Sequence, residues 1–140
     1  FDVKRGIYDF TEAVYGPAAE EIRAYIELLE NRVTEGTIHF GIYEGPDVAY
    51  LDEATMARAQ ELMAAAQAKA LTLSQRIYVE KAALSVEFAA VGQEILKGRV
   101  DAARIDAMMD KARTLGITYI SEGCPWDLAH EGMLQGKLYR

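Results

Sequence analysis

The stretch from Tyr15 to Val33 constrains this chain more than any other. It reads Tyr-Gly-Pro-Ala-Ala-Glu-Glu-Ile-Arg-Ala-Tyr-Ile-Glu-Leu-Leu-Glu-Asn-Arg-Val. Gly16 suits the N-cap of a helix, and Pro17 suits the first helical position, where its missing N–H costs nothing. Glu20 and Glu21 then fall in the first turn, where the helix dipole favours negative charge. Ile22, Tyr25, Ile26, Leu29 and Val33 recur at spacings of three and four and form one apolar stripe. Glu20, Arg23, Glu27 and Glu30 stay off that stripe. Tyr15 is placed to pack back on the first turn as a hydrophobic staple. A helix of this kind is stable mainly because its stripe is covered, so the rest of the chain must supply the cover.

The rest is mostly helical in pattern. Gly36 follows Glu35 in the C′ role. From Thr37 to Leu51 there is no helical period. Ile38, Phe40 and Ile42 alternate with His39, Gly41 and Tyr43, a strand-like pattern, and Glu44-Gly45-Pro46-Asp47 is turn chemistry. Asp52 is a good N-cap for a helix through Met56, Ala59, Met63, Ala66 and Ala70, with Leu62 beside them. Thr72 or Ser74 starts the next helix. Ile77, Leu84, Phe88, Val91 and Ile95 form its stripe, and Val79, Ala82, Ala83, Val86, Ala89 and Ala90 widen it. So little polar face predicts the most buried helix of the chain, ended by Gly98. Asp101 caps a further helix through Ile105, Met108, Met109, Ala112 and Leu115. Gly116 and Ile117 fit a Schellman ending. Asp127 is expected to cap a last short helix through Leu128, Met133 and Leu134.

Ahead of Gly16, the pattern predicts a short helix from about Asp9 to Tyr15. Phe1, Ile7, Tyr8 and Phe10 are expected to dock onto the core, the alternative being that they pack on an upstream domain. The sum is an all-α fold. It is expected to be an antiparallel helical bundle of four main helices, with one or two short ones and one long extended loop at about 37–51. Residues 1–140 are expected to be a single helical domain. The chain begins at Phe1 and carries no signal-peptide pattern, which is read as a piece cut from a larger protein.

Composition excludes several functions. A formal charge of −7 argues against nucleic acid, where affinity rests on neutralising phosphates, and against an anionic membrane surface. No run of about 18 apolar residues is present, so nothing reads as a membrane span. Cys124 is the single cysteine, so no internal disulfide is available.

Candidates for chemistry are sparse. His39 and His130 lie in different segments, and neither has a histidine or cysteine at ligand spacing, so no metal is expected. Glu-x-x-His, which a di-iron bundle needs, does not occur. Cys124 near His130 suggests a nucleophile pair, but no third group is placed to orient the histidine, and a half-buried cysteine in a turn accounts for it. Most carboxylates read as a solvated helix face. Glu44, Asp47 and Glu122 lie in loops and are better placed to meet a ligand. Tyr43, Tyr50, Tyr119 and Trp126 are aromatics in irregular segments, where rings either stack on sugar faces or cover the core. From these, Tyr43, Glu44, Asp47, Tyr50 and Trp126 are taken as candidate ligand or domain contacts. Glu80 and Glu87 either pair with Arg76 or Lys81 or mark the solvent side of their helix. The methionines read as gap-fillers in the core. No catalytic residue is assigned, and no cofactor is expected.

The run Phe10-Thr11-Glu12-Ala13-Val14-Tyr15-Gly16-Pro17-Ala18-Ala19, with Ile22, Tyr25, Leu28 and Leu29 beyond it, resembles the Tyr-Gly-Pro-Ala-Ala opening of a helical region in a bacterial family. Those proteins resemble glycoside hydrolases, with a hexosaminidase- or α-glucuronidase-like front half and a (β/α)-barrel ahead of the helices. His39-Phe40-Gly41-Ile42-Tyr43, Tyr50-Leu51-Asp52 and the helix from Arg76 to Phe88 are also similar. The resemblance spans about residues 8 to 95. It implies a C-terminal, non-catalytic accessory domain of a secreted or periplasmic carbohydrate-active protein. The implied partners are an upstream catalytic domain of the same chain and an oligosaccharide. The family's catalytic carboxylates belong on the barrel, which does not fit in 140 residues, so none is carried over. The other reading, drawn from the alanine- and methionine-rich faces, is a self-contained helical module for protein interaction or dimerisation.

Overall fold

The computed structural model describes residues 2–35, 38–39, 44–69, 71–121 and 123–138. The fold is all-α, as expected, with α1 at Val3–Tyr15, α2 at Ala19–Glu35, α3 at Glu53–Gln67, α4 at Leu73–Leu96, α5 at Ala102–Thr114 and α6 at Trp126–Leu134. The sheet found among the described residues is one antiparallel pair, β1 at Tyr119–Ser121 with β2 at Cys124–Pro125. The chain divides into two compact units, Phe1–His39 with Ala49–Val86, and Phe40–Val48 with Glu87–Arg140. The single helix α4 therefore supplies residues to both.

In the first unit, α2 lies against α1 and α3. The contact is lined by small side chains. Ala18 just before α2, Ala19 at its start, and Ala59 and Ala66 on α3 are buried, with Ile22, Met56, Leu62 and Met63 filling around them. The alanine-rich face of α3 and its Asp52 cap appear as expected, with Asp52 accepting from the Thr55 N–H at 2.8 Å. On α4 the buried residues here are Val79, Leu84 and Val86. Ile77, expected in the stripe, is exposed, as are Leu73 and Tyr78. The first turns of α4 are thus less covered than their apolar pattern implied.

The start of α4 is a capping box, Thr72-Leu73-Ser74-Gln75. Gln75 Oε1 accepts from the Thr72 N–H at 3.0 Å, and Thr72 Oγ1 accepts from the Gln75 N–H at 3.3 Å. Each side chain satisfies a donor left over at the helix start.

Two expectations at the N-terminal end are corrected. α1 starts at Val3, not near Asp9, because Asp2 caps it by accepting from the Arg5 N–H at 3.0 Å. Gly16 is not the N-cap of the long helix. It is the C-cap of α1, with φ 53° and its N–H on Glu12 O. A 3₁₀ turn, Gly16–Ala18, then leads into α2. Gly16 has a second reason to lack a side chain. A Cβ there would lie 2.2 Å from Gln75 Nε2, against the capping box of α4.

In the second unit, α5 packs on α6. Val91 and Ile95 of α4, Ile105, Met108, Met109 and Ala112 of α5, and Trp126, Ala129 and Met133 of α6 are buried. Asp101 caps α5 as expected, accepting from the Arg104 N–H at 3.0 Å. Its end is the expected Schellman pattern, with Ile117 N–H on Ala112 O and Gly116 N–H on Arg113 O. Asp127 does not cap α6. Pro125 precedes that helix, and the Asp127 carboxylate accepts from Arg113 Nη2 at 3.0 Å instead.

Of the extended loop at 37–51, the described parts are residues 38–39, an irregular segment at residues 44–48 and a 3₁₀ turn at Ala49–Leu51. Pro46 seats on Gly92 of α4, where a Cβ would come within 2.7 Å of the proline ring, and Gln93 Nε2 donates to Pro46 O at 2.9 Å. The strand-like run through Phe40, Gly41, Ile42 and Tyr43 lies outside the described residues.

Gly16→Ala is expected to lower stability by about 1–3 kcal/mol, the cost of a side chain in a glycine-only backbone region. In the background of Gln75→Ala, which by itself loses the capping bond to the Thr72 N–H, the same substitution should cost less, because only the backbone part remains. Urea unfolding checks this, and an unchanged midpoint for Gly16→Ala would contradict it.

Candidate functional site

Three places can meet a partner or ligand, and each is built differently. The first is the outer face of α1. Arg23 on α2 sets the inner face. Its Nη1 donates to Thr11 Oγ1 at 3.0 Å and to Glu12 Oε1 at 2.9 Å, and its guanidinium lies 4.5 Å from the Tyr8 ring centre. Thr11 is fully buried and donates to Ile7 O at 2.8 Å. With that side turned inward, Val3, Gly6, Phe10 and Ala13 fall on one outer line at spacings of three and four. Val3 is 61% exposed and Phe10 58% exposed. The expectation that Phe10 and Tyr8 dock onto the core does not hold for Phe10, and holds for Tyr8 only through the Arg23 guanidinium. Phe1 lies outside the described residues. Phe10 meets Tyr15 edge-to-face at 6.3 Å, and Tyr15 meets Tyr78 at 6.5 Å, so a row of rings runs from α1 to α4. Burial pushes the Tyr15 phenol above its ordinary value.

The second place is a shallow hollow of about 180 Å³ lined by Glu44, Gly45, Asp47 and Val48. The candidates Glu44 and Asp47 do share this rim and are exposed. Tyr50 is half-buried in the 3₁₀ turn that follows. Tyr43 lies outside the described residues, as does Glu122. Trp126 is a core residue, 6% exposed, and meets Phe88 edge-to-face at 5.8 Å. The sugar-stacking reading therefore fails for Trp126, because its ring is spent on packing. Tyr119 is exposed on β1.

The third is a groove of about 320 Å³ where α4 ends and α5 begins. Val91 and Ile95 line it, with Glu94, Arg99, Asp101 and Arg104 around them. Its charges are already engaged with each other. Arg99 donates through Nη2 to Glu94 Oε1 at 2.8 Å and through Nε to Glu94 Oε2, and Lys97 Nζ lies 3.3 Å from Glu94 Oε1. Arg104 Nε donates to Glu87 Oε1 at 2.7 Å. This pair answers the question about Glu87, which reaches across to α5. Glu80 accepts from Gln67 Nε2 of α3 at 3.0 Å. The Arg99 hydrogen bonds hold Glu94 at about 2, against an ordinary value of 4.5, with Lys97 assisting and desolvation opposing. A groove whose arginines each hold a carboxylate has little field left for a charged ligand.

His130 is turned to Asp106, with Nε2 2.6 Å from Oδ1. Cys124 is buried, and its thiol donates to Pro125 O at 3.9 Å. The two do not form a nucleophile pair. His39 is exposed. Among the described residues, no group of three His, Cys, Asp or Glu side chains is arranged to hold a metal ion. No helix among them is long and apolar enough to cross a membrane.

No family model, curated protein or solved structure matches this chain.

The Glu94 cluster gives a pH dependence with a definite sign. Its folded value of about 2 lies below the ordinary 4.5, so the unfolded chain takes up the proton first. The stabilisation is complete above about 4.5 and is lost as pH falls towards about 2. Glu94→Gln should flatten the acid limb of a urea-midpoint profile across that window. A profile unchanged by the substitution would contradict it.

Proposed function

We propose that this chain is a non-catalytic helical module that holds to another protein surface through the outer face of α1. The observation that carries this is the exposure of Val3 and Phe10 on one line of a helix whose opposite side is tied down by Arg23. A buried phenylalanine gains on the order of 2–3 kcal/mol over an exposed one. Leaving Phe10 in water is therefore unfavourable unless something else covers it. An apolar line bordered by charged residues is how an interaction surface is built.

A second reading is supported by the run Tyr15-Gly16-Pro17-Ala18-Ala19. Through its resemblance to a glycoside-hydrolase-like family, the module is an accessory domain of a carbohydrate-active protein. Glu44 and Asp47 would then serve as the part lent to an oligosaccharide, because paired carboxylates on a rim accept hydrogen bonds from sugar hydroxyls.

Binding of an apolar dye at high dilution tests the first reading. The wild-type chain should bind it, and Phe10→Glu should lower binding several-fold at unchanged helix content. Equal binding by both chains would overturn the reading. For the second, an oligosaccharide titration followed by amide chemical shifts should move Glu44 to Val48. A titration that moves no signal there would count against it.

A further inference from the structure

We propose that the partner on the outer face of α1 is a second copy of this chain, paired antiparallel about a two-fold axis. The proposal rests on the interaction reading above and names its occupant. It follows from the order of residues along the line. Large and small alternate: Val3, Gly6, Phe10, Ala13. A two-fold axis through the level of Tyr8 sets each residue against the one equally far on the other side. Phe10 of one copy then lies over Gly6 of the other, and Val3 lies against Ala13. Every large side chain meets a notch, and the meeting is reciprocal, as an isologous interface requires. Gly6 has no side chain, so the ring can approach the helix backbone there.

Charge agrees with the same register. Arg5 Nε lies 2.9 Å from Asp9 Oδ1 along one flank of the line. In the antiparallel pair, this flank faces its own copy. Each Arg5 then stands beside the partner copy's Asp9 as well as its own, giving a ring of two positive and two negative groups. On the other flank, half-buried Ile7 meets the same residue of the second copy. Although the whole chain is strongly acidic, α1 carries Lys4 and Arg5 against Asp9 and Glu12 and is locally balanced. Two acidic molecules can therefore approach at this face. A parallel pairing would set Phe10 against Phe10 and Gly6 against Gly6, leaving a clash beside a gap.

The face is one helix of 13 residues, about 20 Å long at 1.5 Å per residue. That falls short of the roughly 800 Å² per partner of a standard stable interface. The pair is accordingly weak and in fast exchange.

Sedimentation equilibrium over a range of concentrations tests the proposal, with the dye-binding measurement run on the same samples. The wild-type chain should show a monomer–dimer equilibrium in the micromolar range, as the short face implies. Phe10→Glu should weaken it at least tenfold. Gly6→Leu should do the same while raising helix propensity, with an unchanged urea midpoint showing that the half-buried position tolerates it. Asp9→Arg should weaken the dimer by placing four positive groups together, and the swap Arg5→Asp with Asp9→Arg should restore it to within about threefold. A dimer indifferent to all of these overturns the proposal. A strict monomer whose dye binding is lost in Phe10→Glu also overturns it and gives the face to another partner, such as a barrel domain. A strict monomer without dye binding overturns the interaction reading as well.

Discussion

One guanidinium decides which side of α1 faces water. Arg23 holds Thr11 and Glu12 and covers the Tyr8 ring, so α1 has one rotation about its own axis in which its polar interior is satisfied. Thr11 is fully buried, and its hydroxyl needs both the Ile7 carbonyl it donates to and the Arg23 donor. Rotating α1 to hide Phe10 would keep the Thr11 bond to Ile7, which lies within the helix, but would unpair Arg23 from Thr11 and Glu12, at a cost of about 1–3 kcal/mol for each group left unsatisfied. The exposed apolar line is therefore imposed by a polar requirement on the opposite side.

The backbone at Gly16 enforces the same arrangement. Its φ of 53° ends α1, and its missing side chain admits Gln75 of the α4 capping box. A similar economy holds the second unit. Gly92 lacks the side chain that would keep Pro46 away, and Gln93 bonds the Pro46 carbonyl, so residues 44–48 are seated on α4. Gly92 lies inside α4, and its missing side chain is what lets a second segment approach the helix there.

How much of this was legible in the sequence depends on where the deciding partner sits along the chain. Signals made by neighbours in sequence were readable: the Asp52 and Asp101 caps, the Gly116–Ile117 ending, and the buried lines of α3 and α5. The beginning of α1 was missed although Asp2 stands at cap spacing from Arg5. Gly6 inside the helix and basic groups in its first turns read as evidence against one. Distant partners were not legible. Nothing local says that Arg104 takes Glu87, that Asp127 serves Arg113, or that Arg23 leaves Phe10 outside. For Trp126 the irregular look of its segment leaves both sugar stacking and core covering open, and distant contacts decide for the core, because β1, β2 and Phe88 make that segment part of it. Glu44 and Asp47 line one rim because a four-residue turn, legible in Glu44-Gly45-Pro46-Asp47, brings its own ends close.

The most direct measurement is side-chain footprinting by hydroxyl radicals, read residue by residue across a dilution series. Phe10 and Val3 should be modified readily in dilute solution and should become protected as concentration rises, while Met109, buried in the second unit, stays protected throughout. If Phe10 is already as protected as Met109 at the highest dilution, α1 does not present this face, and the account of it as an interaction surface is wrong.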